Sequence, residues 1–361
     1  MPEGECRVDE VRCAVVGYGA AFNQGRSHAR QIQETPGLRL TAICDLDPAR
    51  IEAAKADFPG VAGYTDMGRM VADRAADLAA IVVPHRFHAP AALACLRGGL
   101  HVVIEKPMAL TIEECTTLIE EAKARRLMLS VYHNRRCDGD FSTIRGLIRD
   151  GVVGDVFHVE YYGGGFGLPG GGWRADKAVS GGAFYDWGAH IVDWTLGLVE
   201  DRMVAVTGFF HKRVWHDVTN EDQVQAVIRF AGGQGADVQQ SNISLGPKPR
   251  WRILGTEGAI LDRGDRARAR GGERGALAVR VRVHGYPAEF QVPYRDGEPM
   301  TYYARIHACL TAGGPVPVTP ESARRVIAVL ELAERSSASG HSEPVPYEDA
   351  WSGPHCTWPH A

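Results

Sequence analysis

A chain of 361 residues is long enough for two domains, each with its own core. Its 45% hydrophobic and 23% charged residues are the balance of a soluble globular protein, and a net charge of -4 argues against nucleic acid or an acidic membrane surface as partner. The acidic start lacks the basic and apolar regions of a signal peptide, no apolar run approaches the roughly 18 residues of a membrane span, and the cysteines show neither a C-x-x-C pair nor metal-ligand spacing. These features predict a cytoplasmic protein with reduced thiols and no metal site.

The first part alternates strand and helix. Short apolar runs over 13–16, 40–44, 78–83 and 101–104 are separated by helical patterns over 48–58, 67–74 and 89–97. Continuous apolar strands with intervening helices indicate a parallel sheet covered on both faces, and right-handed crossovers make it a Rossmann-type α/β domain. Thr111 and Glu114 form a capping-box pattern, with Ile112, Cys115, Leu118, Ile119 and Ala122 on one helical stripe. A strand over 127–131 follows. The pattern changes at Tyr132-His133-Asn134, which places the domain boundary between 1–132 and 133–361.

The second part is rich in strands, read over 155–162, 203–213, 223–230, 237–245, 251–254 and 277–284. In the last of these Val279, Val281 and Val283 alternate with Arg280 and Arg282, the signature of a sheet with one buried face. Arg263, Arg266, Arg268, Arg270 and Arg274 lie among glycine and alanine without stacking aromatics and read as a solvated loop and strand face. A helix over 321–337 precedes a tail holding His355, Cys356 and His360, read as a terminal arm.

Three short motifs carry chemistry. Gly17-Tyr18-Gly19 follows the first strand, where small residues let the backbone approach a pyrophosphate and the next helix offers its N-terminus to the anion. Phe22 stands where a third glycine is usual, so Gly25 reads as the packing glycine of a lengthened loop in which Phe22 and Asn23 join Gly17 and Gly19 as candidate cofactor contacts. Asp45 ends the second strand, where a carboxylate takes ribose hydroxyls and repels a 2′-phosphate, favouring NAD over NADP. Asp47 suits the N-cap of the helix after it.

Glu105-Lys106-Pro107 ends the strand over 101–104, the edge where open α/β sheets meet their ligands. Gly181-Gly182 leads to Asp186 and His190, four apart and on one side if the segment is helical. Oxidation of a carbinol needs a base for the hydroxyl proton, which suits histidine, and a cation for the developing alkoxide, which suits lysine. Each of these residues also has a plain structural reading, as a surface lysine before a turn or a satisfied core pair.

Taken together, these motifs with Cys44-Asp45, His28, Pro84, His88, Asn134-Arg135-Arg136, Trp173-Arg174 and Gly255-Thr256-Glu257-Gly258 resemble the Gfo/Idh/MocA oxidoreductase family. The resemblance runs nearly end to end. It implies a Rossmann domain followed by an α+β domain with a large open-faced mixed, mostly antiparallel sheet, often used for oligomer contacts, and so a homo-oligomer, dimer or tetramer. It implies Lys106, Asp186 and His190 as the catalytic set and a Lys106–Pro107 bond open to the cis form. Pro84, His88, Glu105 and Lys106 then join the cofactor side, and Asn134, Trp173, Arg174, Asp186 and His190 the substrate side. The longer glycine loop, His85 in place of a common asparagine and Cys137 in place of an aromatic depart from the family pattern.

The run from Gly163 to Gly172 is dominated by glycine and leads into Trp173-Arg174, an indole suited to a sugar ring face and a guanidinium suited to hydroxyls. The expected activity is hydride transfer between a secondary alcohol of a sugar, glycoside or cyclitol and NAD. The alternatives are a glycoside-cleaving enzyme working by transient oxidation and elimination, and a non-catalytic nucleotide-sensing regulator on the same fold.

Overall fold

The computed structural model describes residues 10–19, 23–262, 275–297, 302–351 and 353–356. Phe22, Cys6, His360 and the arginines at 263, 266, 268, 270 and 274 lie outside them. The chain divides into two compact units, Met1–His133 with Met300–Arg324, and Asn134–Pro299 with Arg325–Ala361. No described helix is long and apolar enough to cross a membrane.

In the first unit β1 (Val11–Val16), β2 (Leu38–Cys44), β3 (Ala62–Tyr64), β4 (Leu78–Ile81), β5 (His101–Glu105) and β6 (Leu129–Tyr132) form a parallel sheet in the order β3-β2-β1-β4-β5-β6. The helices between them are α1 (Gln24–Glu34), α2 (Pro48–Asp57), α3 (Met67–Ala72), α4 (His88–Arg97) and α5 (Ile112–Arg125). This is the doubly wound order, and its reversal between β1 and β4 is the ligand-binding crevice of such sheets. Asp47 caps α2 by accepting the Ala49 N–H, and Thr111 with Glu114 forms the full capping box of α5. The chain returns to this unit late. In α9 (Tyr302–Ala312) the Tyr302 hydroxyl donates to Ser130 at 2.8 Å, and Ser130 donates to the Val318 carbonyl at 2.9 Å.

The second unit opens with α6 (Gly139–Arg149), then β7 (Val156–Gly164), the short α7 (Lys177–Ser180) and α8 (Ala189–Val199). The strands β8 (Met203–His211), β9 (Gln223–Phe230), β10 (Gly235–Ser241), β11 (Trp251–Gly255), β12 (Gly258–Asp262), β13 (Ala276–Val283), β14 (Tyr286–Pro293) and β15 (Glu343–Pro344) join β7 in a nine-stranded sheet. The sheet is antiparallel except between β7 and β10. Along β9 Val224, Ala226, Ile228 and Phe230 are buried while Val227 and Arg229 are exposed, so one face packs and the other is open. β10 ends at Ser241, short of the predicted 245, because Asn242 turns to donate its N–H to the Asp222 carbonyl at 2.7 Å.

Helix α8 is buried from Ala189 through Leu198, apolar on nearly every side, as a core helix must be. Its Asp193 takes a two-point bond from Arg136, at 2.9 and 2.5 Å, and lies 2.9 Å from His355 Nε2. The tail thus enters the core, and burial lowers the His355 pKa to about 3, beyond what its hydrogen bond to Asp193 restores. Helix α10 (Pro320–Ser339) presses on β8 so closely that a Cβ at Gly208 would lie 1.9 Å from the Ala333 carbonyl.

Candidate active site

In the first unit the candidate residues gather at the carboxyl ends of β1, β2, β4 and β5. Gly17 has φ +101°, and a Cβ there would meet the Val82 carbonyl at 2.1 Å. A Cβ at Gly25 would meet the Gly17 carbonyl at 2.1 Å, so Gly25, inside α1, is the glycine of close helix–strand packing. Gly19 has no atom within 4 Å of where its Cβ would stand and forms the open side of the cradle. Asn23 precedes α1 in the left-handed conformation without capping it, and the first turn carries no acidic side chain. The N-terminal end of α1 thus keeps its field for an anion. Small residues where backbone must approach, an uncapped helix start and a strand-end carboxylate together fit a dinucleotide.

That carboxylate, Asp45, accepts the Tyr18 N–H at 2.6 Å and the Asp47 N–H at 2.9 Å. It holds the glycine turn against the end of β2. Tyr18 was not anticipated from sequence. Its hydroxyl donates to Asp57 at 2.6 Å, and burial with that contact raises its pKa.

The Lys106–Pro107 bond is cis. The turn it forms is braced from both sides. Glu105 accepts the Lys106 N–H at 2.9 Å with one oxygen and faces His28 Nε2 at 3.1 Å with the other. His28 Nδ1 lies 2.6 Å from the Tyr303 hydroxyl. A carboxylate only accepts, so Nε2 carries a proton toward Glu105. Burial pushes the Glu105 pKa up, but the hydrogen bond from His28, with the charge of Lys106, outweighs it and holds the carboxyl below its usual range. On the other side His88, buried just beyond Pro84 and the turn His85–Phe87, faces the Pro107 carbonyl at 2.6 Å and the Val83 carbonyl at 2.8 Å. Two carbonyls favour the charged ring, yet burial is the larger influence and lowers its pKa, so the neutral ring donates to one of them.

In the second unit Asn134 opens the turn Asn134–Cys137, half-buried, and Arg136 of that turn is anchored on Asp193. Trp194 Nε1 fixes the same turn by donating to the Arg135 carbonyl at 2.9 Å, and the Arg135 guanidinium lies 4.7 Å from the Trp187 ring centre. Asp186 sits in a π-helical turn, Phe184–Gly188, that runs straight into α8. Such wide turns recur at functional sites. His190, 5% exposed, stands edge-on to Trp187 with ring centres 5.4 Å apart. Arg174 reaches Asp186 at 3.6 Å while lying 4.3 Å over the Trp173 ring. The structure therefore brings Trp173, Arg174 and Asp186 into one cluster and sets His190 beside Trp187 on the most buried helix.

A glycine cradle on a 3-2-1-4-5-6 sheet, followed by a histidine and carboxylate beside an open-faced mixed sheet, defines a nicotinamide-dinucleotide-binding oxidoreductase of two-unit build. The chain belongs to the Gfo/Idh/MocA family: residues 11–133 match its NAD-binding Rossmann-fold model and residues 141–261 its C-terminal domain. It is 28% identical to a scyllo-inositol 2-dehydrogenase (NADP(+)) of Bacillus subtilis, over 93% of this chain and 96% of that one. It is also 28% identical to the scyllo-inositol 2-dehydrogenase (NAD(+)) of the same organism, over 70% of this chain and 73% of that one. A crystal structure of an oxidoreductase-fold chain from Klebsiella pneumoniae superposes with a TM-score of 0.78 at 27% identity, covering 95% of this chain and 97% of that one.

Proposed function

We propose that this protein is a cytoplasmic NAD-dependent dehydrogenase acting on a secondary alcohol of a sugar, glycoside or cyclitol. The observation that carries the reading is the presence of Lys106, Asp186 and His190, each in ordered surroundings, in a chain whose similar relatives include inositol dehydrogenases. A bound nicotinamide would supply the hydride acceptor. His190 takes the hydroxyl proton, Asp186 orients the base and binds substrate hydroxyl, and Lys106 holds the developing alkoxide. Gly17, Gly19 and the start of α1 would hold the dinucleotide's pyrophosphate. Phe22, Asn23, Pro84 and His88 belong to the cofactor side, as does Glu105, which sets the direction of Lys106. Asn134, Trp173 and Arg174 contact the polyol.

NAD is preferred over NADP because Asp45 places a negative charge at the end of β2, where a 2′-phosphate would lie. The similar relatives are named for both cofactors, so the preference rests on that carboxylate. A homo-oligomer is supported by the open face of the large sheet, where Phe209 and Val227 are 47% and 36% exposed. The buried, undisulfided Cys13, Cys44 and Cys95 support a reducing compartment.

The test is a screen of inositols, sugars and glycosides with NAD and with NADP, followed by reduced-nicotinamide absorbance. Turnover of a polyol with net NADH formation is the expected result. Product formed with zero net nicotinamide change points instead to transient oxidation and elimination, and cofactor binding without any turnover to a regulator.

A further inference from the structure

We infer that Asn220 is the positioning residue of the substrate side: its buried amide closes the glycine loop and presents Trp173 and Arg174 as a fixed platform for a polyol ring. The inference deepens the proposed function and takes the ligand's identity from it.

Gly170, Gly171 and Gly172 follow one another, with φ of +92° at the first and +58° at the last. Such a segment loses more chain entropy on ordering than any other composition, so something must hold it. Asn220 is 1% exposed. Its Nδ2 donates to the Pro169 carbonyl at 3.0 Å and to the Arg174 carbonyl at 2.6 Å, the two ends of the loop. Its Oδ1 accepts from the Ser180 hydroxyl at 3.3 Å, and Ser180 Oγ accepts the Gly182 N–H at 3.1 Å. Two carbonyls can only accept, so the orientation of the amide is fixed, and no aspartate would serve there.

The flanking residues extend the same tie. Thr219 Oγ1 accepts the Lys177 N–H at 2.7 Å. Glu221, 5% exposed, accepts the Phe184 N–H at 2.7 Å, at the start of the turn that carries Asp186. Gly182, at φ +118°, makes room for that carboxylate, since a Cβ there would lie 2.5 Å from it. Thr219, Asn220 and Glu221 therefore tie, in that order, the start of the short helix α7, the glycine loop and the Asp186 turn, and set them against one another. The stacked Trp173–Arg174 pair, with its guanidinium directed at Asp186, is the product of that register.

Asn220→Ala and the milder Asn220→Ser are compared with the wild-type full chain by hydrogen exchange and by kinetics with scyllo-inositol, myo-inositol and glucose as probes. The expected result is faster exchange confined to 163–183, where the Arg174 and Asp176 amides are bonded within the loop. With it comes a polyol KM raised about tenfold, kcat within about threefold of wild type and an unchanged KM for NAD. Unaltered exchange overturns the inference, as does a loosened loop with an unaltered polyol KM, or a loss of kcat and NAD affinity together. If neither variant folds, limited proteolysis of the wild type decides: resistance within 163–173 agrees with a closed loop, and rapid cleavage there overturns it. A wild type that oxidises nothing in the wider screen of inositols, sugars and glycosides removes the proposed function, and the exchange comparison alone then judges the tie.

Discussion

The lysine-bearing turn of the first unit and the histidine-bearing turn of the second are made stiff by different means. Around Glu105-Lys106-Pro107 a few side chains fasten the backbone itself, His28 through Glu105 on one side and His88 through the Pro107 carbonyl on the other. Around Asp186 and His190 the stiffness belongs to a whole element, since α8 has almost no surface and its one buried carboxylate, Asp193, is gripped by Arg136 and His355. The first arrangement is local and depends on individual hydrogen bonds. The second is collective, and depends on a core with buried charges in balance. Perturbing the first should alter chemistry before stability, and perturbing the second the reverse.

The sharpest test is Lys106→Met. It should lower hydride transfer about a thousandfold or more while NAD still binds and the melting temperature stays near wild type. Stopped-flow NADH absorbance and calorimetric NAD titration check it, and near-normal turnover would sink the assignment. The opposite signature is expected for Arg136→Ala, which leaves Asp193 buried without its two-point partner. It should cost about 3–5 kcal/mol of stability in a denaturant titration. Replacing both by an apolar pair, Arg136→Met with Asp193→Leu, should recover most of the loss.

Acid separates the two regions next. His355 is neutral when folded, with its pKa at about 3, while unfolded histidine takes a proton below about 6.5. Its contribution is therefore full above about pH 6.5 and falls as pH drops toward 3. Glu105 is held below its usual range, so its contribution is present above about pH 4.3 and is lost as pH falls through its folded value. Hydrogen exchange against pH should show both units loosening below about pH 6.5, the second through His355 and the first through His88, with the loss at Glu105 added to the first in stronger acid. His355→Gln should flatten the decline in the second unit, Glu105→Gln the added loss in the first. The smallest effect is expected for Tyr303→Phe. Losing the hydroxyl on His28 should cost about 1 kcal/mol and shift the melting temperature by a few degrees, with polyol KM unmoved.

The same contrast explains what was legible in the sequence. Strand alternation, the capping box at Thr111, the cap at Asp47 and the packing role of Gly25 follow local rules, and each is present. The spacing of Asp186 and His190 was readable, but not the π-helical turn between them, which the buried Glu221 and the start of α8 impose. Asn220, Glu221 and Tyr303 gave no signal, because Asn-Glu-Asp reads as a polar loop and Tyr303 returns to the first unit some 170 residues after β6 ends. Helices α6 and α9 and strands β12 and β14 were likewise not read. Their patterns are short or weakly periodic, and pairing with neighbours decides them.

Helix α8 also divides the molecule's capacity for change. A residue such as His190, on a helix buried from Ala189 to Leu198, cannot be moved without disturbing the packed core around it, so that core fixes its place. The glycine loop before it has no such obligation. If the proposed function holds, new substrates are most cheaply reached by redrawing residues 163–174 while His190 stays where it is, and a library confined to that loop is the natural starting point.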